Sequence, residues 1–86
     1  MEELTKKFYD IFNRTNELYK ASVDVVAELN AKLNSSLRAD ICEGHIVIVD
    51  AMLGEIMNET VEDLYIDMQR SNTDYKGIII KTLSNY

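Results

Sequence analysis

The side chains best suited to chemistry in this sequence are one cysteine and one histidine, three residues apart. On an α-helix Cys42 and His45 would face the same way, so two copies of the chain would offer zinc two Cys and two His ligands. The pair also resembles a thiolate beside a base, but no neighbouring residues predict an oxyanion site. Because structural zinc sites usually draw their ligands from one chain, we expect both side chains to be packed core residues of a helix.

Four carboxylates flank the turn near residue 35 and form a second candidate site: Asp24, Glu28, Asp40 and Glu43. If the helices on either side of this turn packed antiparallel, these oxygens would suit a hard cation such as Mg²⁺. Asp24 points away from the apolar stripe of its helix, however, so we expect a solvated face. The sequence therefore predicts no metal, no cofactor and no catalytic residue.

The segment from Thr60 to Asn72 resembles a known family. It reads Thr-Val-Glu-Asp-Leu-Tyr-Ile-Asp-Met-Gln-Arg-Ser-Asn, and it resembles the late helix of the MazG-like all-α nucleotide pyrophosphohydrolases. The resemblance implies that Asn72 and Lys76 take the places of the family's Asn and Lys. The family's metal-binding patterns, Glu-Glu-x-x-Glu and Glu-x-x-Asp, are absent, so the resemblance implies a degenerate relative.

Residues 60–83 also fit the spacing of a helix-turn-helix. The second helix would present three side chains to a DNA groove: Thr73, Lys76 and Lys81. Gln69 stands where such turns usually have Gly, and the preceding helix is strongly acidic. Two packed amphipathic helices explain the pattern better, and we do not expect direct binding of nucleic acid.

Charge is segregated along this chain of 86 residues, whose formal net charge is −6. Residues 40–69 contain eight acids and no Lys or Arg, whereas residues 1–39 sum to zero and residues 70–86 to +2. Such a segment repels phosphates and attracts a basic protein surface. We expect the partner-binding residues among these acids: Glu43, Asp50, Glu55, Glu59, Glu62, Asp63 and Asp67.

One long element must position these groups. From Glu2 to Leu33 there is no Gly or Pro, and apolar residues recur with a seven-residue period, which predicts a helix. Its length would be about 48 Å, against about 30 Å for a compact body of this size. We therefore expect a homodimer whose interface or core contains six residues of this helix: Phe8, Ile11, Phe12, Leu18, Val25 and Leu29.

Residues 37–58 permit two interpretations. A β-hairpin at 37–50 would turn at Glu43-Gly44 and pair Ile41 with Ile46. A helix capped by Asp40 sorts nearly all of these residues into an apolar and a polar side, with Val47 alone misplaced. We favour the helix. The predicted fold is thus an all-α bundle over residues 1–86, with one long N-terminal helix and three shorter helices; α+β with the hairpin is the alternative.

The rest of the chain also has helical patterns. Thr60 can cap a third helix, although a continuous helix from Asp50 to Arg70 is equally allowed by the pattern. The run Ser71-Asn72-Thr73 predicts a turn, and the helical spacing from Tyr75 predicts a fourth helix, with a strand at Ile78-Ile79-Ile80 as the less favoured alternative. Together these features predict a small acidic, non-enzymatic regulatory or inhibitory protein that binds a basic partner, in its sharpest form as a mimic of DNA phosphates. The helix-turn-helix regulator and the MazG-like hydrolase are the alternatives. A single Cys and the lack of a membrane span favour a cytoplasmic location.

Overall fold

Three helices and a three-stranded antiparallel sheet make up the computed structural model, which describes residues 2–86. In chain order they are α1 (Glu2–Leu33), β1 (Leu37–Cys42), β2 (His45–Asp50), β3 (Gly54–Thr60), α2 (Val61–Arg70) and α3 (Tyr75–Ser84). The strand order is β1-β2-β3, with β2 in the middle. The helices pack against one face of the sheet, and its other face carries no helix of the described chain.

The predicted all-α bundle is wrong, because residues 37–60 form strands. The alternative hairpin has the register that its turn implied, with Ile41 opposite Ile46 and Ala39 opposite Ile48. Its two turn residues, Glu43 and Gly44, have φ values of 49° and 78°. A two-residue type I′ turn requires positive φ at both positions, whereas a right-handed helix excludes it.

The apolar pattern of residues 37–58 wrongly indicated a helix, because β2 is a middle strand with apolar residues on both faces. Ile46 and Ile48 lie in the core, and Val47, which faces the other way, is only 8% exposed. Continuous apolar runs of this kind do not distinguish a buried strand from a buried helix. The discriminating signals were the β-branched side chains and the two glycines, since Gly54 also has positive φ, at 81°.

The predicted long helix is confirmed, and it ends at Leu33 where Asn34 adopts a φ of 52°. Near this end the Asn30 side chain bonds both backbone groups of Leu37. Its Nδ2 donates to the Leu37 carbonyl at 3.0 Å, and its Oδ1 accepts from the Leu37 N–H at 2.8 Å. The amide thus replaces a neighbouring strand at the outer edge of β1.

Tyr86 closes the opposite edge of the sheet in a similar way. Its phenolic oxygen lies 2.9 Å from the Asn58 carbonyl oxygen and accepts from the Asn58 N–H at 3.5 Å. Both edge strands therefore have backbone groups that are bonded within the chain, which discourages pairing with strands of other molecules.

Both short helices start at a capping residue: Thr60, as predicted, and Asp74, which was not predicted. The Thr60 hydroxyl accepts from the Asp63 N–H at 3.1 Å, and the Asp74 carboxylate accepts from the Gly77 N–H at 2.7 Å. The predictions of a third helix, a turn after Arg70 and a fourth helix from Tyr75 are confirmed.

The core lies between the sheet and the C-terminal two thirds of α1. Its fully buried large side chains come from every layer: Leu18, Ile46, Ile48, Met57, Leu64, Ile78 and Ile79. The first 13 or so residues of α1 extend past this core, which gives the described chain its elongated extents of 48 × 25 × 19 Å. The helix therefore has one covered part and one uncovered part.

Two methionines test the corrected fold, since the helix interpretation placed both on its apolar side. Met57 is fully buried and Met52 is 93% exposed. We expect Met57→Ala to lower the free energy of unfolding by about 2–5 kcal/mol, because it opens a cavity in the core. The matched change Met52→Ala should alter it by about 0.5 kcal/mol or less. Urea denaturation measures both, and equal losses would contradict the sheet.

Candidate functional site

The face of the sheet that carries no helix is the candidate partner-binding surface. Val47 and Val49 form its central row on β2, with Asp40 beside them on β1 and Glu55 on β3. Cross-strand neighbours share a face, so the register itself assembles this set. A shallow hollow on this face is lined by Asp40, Ile41, Cys42, Glu43, His45, Val47, Val49, Glu55 and Asn58.

Cys42 and His45 lie at the hairpin end of this surface, directly opposite each other on neighbouring strands. The expectation that both are packed core residues of a helix is wrong, because Cys42 is exposed and His45 half-buried. His45 Nδ1 lies 2.7 Å from Oδ1 of Asn58, within hydrogen-bonding distance. Among residues 2–86, no three His, Cys, Asp or Glu side chains come together in a metal-binding group.

The seven acids predicted to bind a partner separate into three groups. Glu43 and Glu55 line the hollow on the open sheet face. Asp50 and Glu59 serve the fold itself: an Asp50 oxygen accepts from the N–H groups of Met52 and Leu53 at 2.7 and 3.1 Å, and Glu59 accepts from the Tyr86 phenol. The third group, all exposed on α2, is Glu62, Asp63 and Asp67.

Asp40 belongs to the candidate surface although it was not among those seven. Period-two alternation in the hairpin places it opposite Val47, so the hairpin interpretation contained the signal that finds it. Its carboxylate lies 3.2 Å from Nε of Arg38, which is on the same face. This exposed ion pair contributes little stability and can exchange partners when another cation binds.

The four carboxylates considered for Mg²⁺ do not converge. Glu28 on α1 bonds Lys76 on α3, and Asp40 pairs with Arg38. The hydrogen bond from Lys76, with its charge, lowers the pKa of Glu28, and the same bond raises the pKa of Lys76. Lys76 was also the candidate phosphate ligand of the MazG resemblance, and here it contacts α1 instead.

The predicted recognition helix of the helix-turn-helix, α3, packs on the long helix. Ile78 and Ile79 are buried in the core, and Lys81 donates to the Ser71 hydroxyl at 2.7 Å. With Lys76 bonded to Glu28, both lysines of this helix bind groups of their own chain.

The six residues predicted for the dimer interface or core occupy two environments. Leu18 and Val25 lie in the chain's own core, with Leu29 packed beside them. Phe8, Ile11 and Phe12 are 55–70% exposed. Of these six residues, only the three in the N-terminal part of α1 are therefore available to another molecule.

Comparison with protein-family models, curated proteins and solved structures finds no match for this chain. No helix in residues 2–86 combines the length and apolar character needed to cross a membrane.

The contact between Glu28 and Lys76 predicts a pH effect. Because the carboxylate's pKa is lowered in the fold, its contribution to stability is present above the ordinary pKa near 4.5 and is lost as pH falls through the lowered value. We expect Lys76→Met to return the pKa of Glu28 towards its ordinary value, as measured by NMR titration of the Glu28 carboxyl. Lys32→Met is the matched control, since Lys32 acts on Glu28 only weakly; an equal effect of both variants would exclude the specific contact.

Proposed function

We propose that this protein is a non-enzymatic regulatory or inhibitory protein that binds a basic protein surface through the open face of its sheet. The observation that supports this proposal is the arrangement of Asp40, Glu43 and Glu55 around the Val47–Val49 row. An apolar centre with charged residues at its rim is the usual anatomy of a protein interface.

The two parts of this surface have different roles in the proposed complex. Half-buried Val49 supplies apolar area that a partner covers, whereas Val47 is already almost fully covered within the chain. The carboxylates steer a basic partner and fix its orientation. The acids on α2 extend the negative field without belonging to the hollow. Because the carboxylates are exposed, the attraction should weaken as salt is added.

We propose a smaller set of binding residues than the seven predicted acids. Because Asp50 and Glu59 bond a turn and Tyr86, we assign the contact to Glu43 and Glu55 and add Asp40. We place this activity in the cytoplasm, where the exposed thiol of Cys42 would stay reduced.

The proposal is tested by removing three charges from the open face. Asp40→Asn, Glu43→Gln and Glu55→Gln together should weaken binding of an oligolysine peptide about tenfold at low salt, because each rim contact contributes about 0.5 kcal/mol. Binding is followed by NMR, and the amide shifts should concentrate on β1, β2 and β3.

The matched control removes the same number of charges from α2: Glu62→Gln, Asp63→Asn and Asp67→Asn. This variant should bind the peptide nearly as well as the wild type. If both triple variants lose the same affinity, the peptide responds to net charge alone and the assigned surface is wrong.

The sharper form of the proposal, in which these carboxylates replace DNA phosphates, has a separate test. The wild-type protein should displace a duplex oligonucleotide from a basic DNA-binding protein, whereas the variant of the open face should not. If the wild-type protein binds the basic protein but does not displace the duplex, the proposed binding of a basic partner still holds and mimicry of DNA is excluded.

A further inference from the structure

The uncovered part of α1 exposes a continuous apolar face. Leu4 is 59% exposed, Phe8 70%, Tyr9 64%, Ile11 55% and Phe12 62%. An exposed cluster of this kind is uncommon on a soluble chain and marks an interaction surface. We call this face the N-terminal patch.

The patch continues the row of side chains that α1 buries in its own core. Leu4, Phe8, Ile11 and Thr15 follow the three- and four-residue spacing that leads on to the fully buried Leu18. The covered part begins near Thr15, where Ile11, Arg14 and Thr15 meet the hairpin turn and the start of α2. The uncovered length is thus about 13 residues, or about 20 Å.

The area of the patch matches what a small dimer needs. Aromatic side chains bury about 150–250 Å² each, so three aromatic and two aliphatic residues at these exposures offer on the order of 600 Å² per copy. Two copies together would bury about 1,200 Å², which is the lower limit of the range for specific interfaces.

Charges beside the patch indicate its orientation. Glu3, Lys7, Asp10 and Arg14 form a row within about 60° of arc along one rim of the apolar face. Reversed, this row is its own complement: in an antiparallel pair Glu3 lies level with the partner's Arg14, and Lys7 with the partner's Asp10. Arg14 also lies over the ring of Tyr65 in its own chain, 3.9 Å from the ring centroid, so Lys7 and Asp10 are the main pair. In a parallel pair this rim would face the partner's opposite rim, and the row would not meet its complement.

The shape of the chain favours the same orientation. From Leu18 onward the row faces the chain's own core, so a parallel second helix would run into that core. An antiparallel helix overlaps only the uncovered 20 Å or so, and the cores of the two copies then lie at opposite ends of this overlap.

We propose that a second copy of this chain covers the N-terminal patch, with residues 4–15 of the two α1 helices packed antiparallel. The dimer buries Phe8 of both copies near its two-fold axis, and Phe12 lies at the rim of the contact opposite the charged row. It leaves the open sheet faces of both copies accessible, so it stands independently of the function proposed above.

The first test is the mass in solution. Sedimentation velocity should give a dimer for the wild type and a monomer for Phe8→Glu with Phe12→Glu, with unchanged helix content by circular dichroism because neither residue lies in the core. The matched control, Met52→Glu with Leu53→Glu, adds the same charges at exposed apolar positions and should remain dimeric. A monomeric wild type, or a dimer that survives the two Phe changes, would overturn the proposal.

The second test addresses orientation. In an antiparallel pair, Lys7→Glu and Asp10→Lys should each weaken dimerisation about tenfold, since each converts two attractions into two repulsions. The double variant exchanges the charges and should recover most of the affinity. The antiparallel pairing would be excluded if both single variants dimerised with unchanged affinity, or if the double variant dimerised more weakly than either single variant.

Discussion

The packing of the middle of α1 on the inner face of the sheet is the constraint on which the rest of this structure depends. A sheet of three short strands needs a covered face to be stable, and a long helix needs a partner for its apolar stripe. Leu18 and Val25 meet that need against Ile46, Ile48 and Met57. Where this contact stops, near Thr15, the helix continues without cover, and the elongated form of the described chain follows from that boundary.

The same contact separates two surfaces of different chemistry. Packing on one face of the sheet leaves the other face open, with Asp40, Glu43 and Glu55 around a row of valines. Packing along only part of α1 leaves an apolar face beside Phe8 and Phe12. One residue at each edge of the sheet has its backbone bonded by a side chain, Leu37 by Asn30 and Asn58 by Tyr86, which disfavours strand pairing at these two positions.

Composition showed that the middle of the sequence is acidic. It did not show which of these acids lie on the open sheet face and which are bonded within the fold. Asp50 and Glu59 look like the other acids in the sequence, and their internal roles depend on a turn and on a tyrosine 27 residues further along. Asp40 was missed as a binding residue because only the strand register places it beside Val47. A local pattern cannot assign a carboxylate when its partner is distant in the chain.

The sequence by itself determined the long helix, the Thr60 cap of α2, the helical spacing of α3 and the acidic character of the chain, because helical periodicity and capping act within a few residues. Only the tertiary structure decided between helix and hairpin at residues 37–50. There the apolar residues satisfied both periods, and the outcome depended on pairing with β3 and on cover from α1. Which part of the long helix was buried was likewise a tertiary outcome, since one repeating row runs through both its covered and its uncovered length.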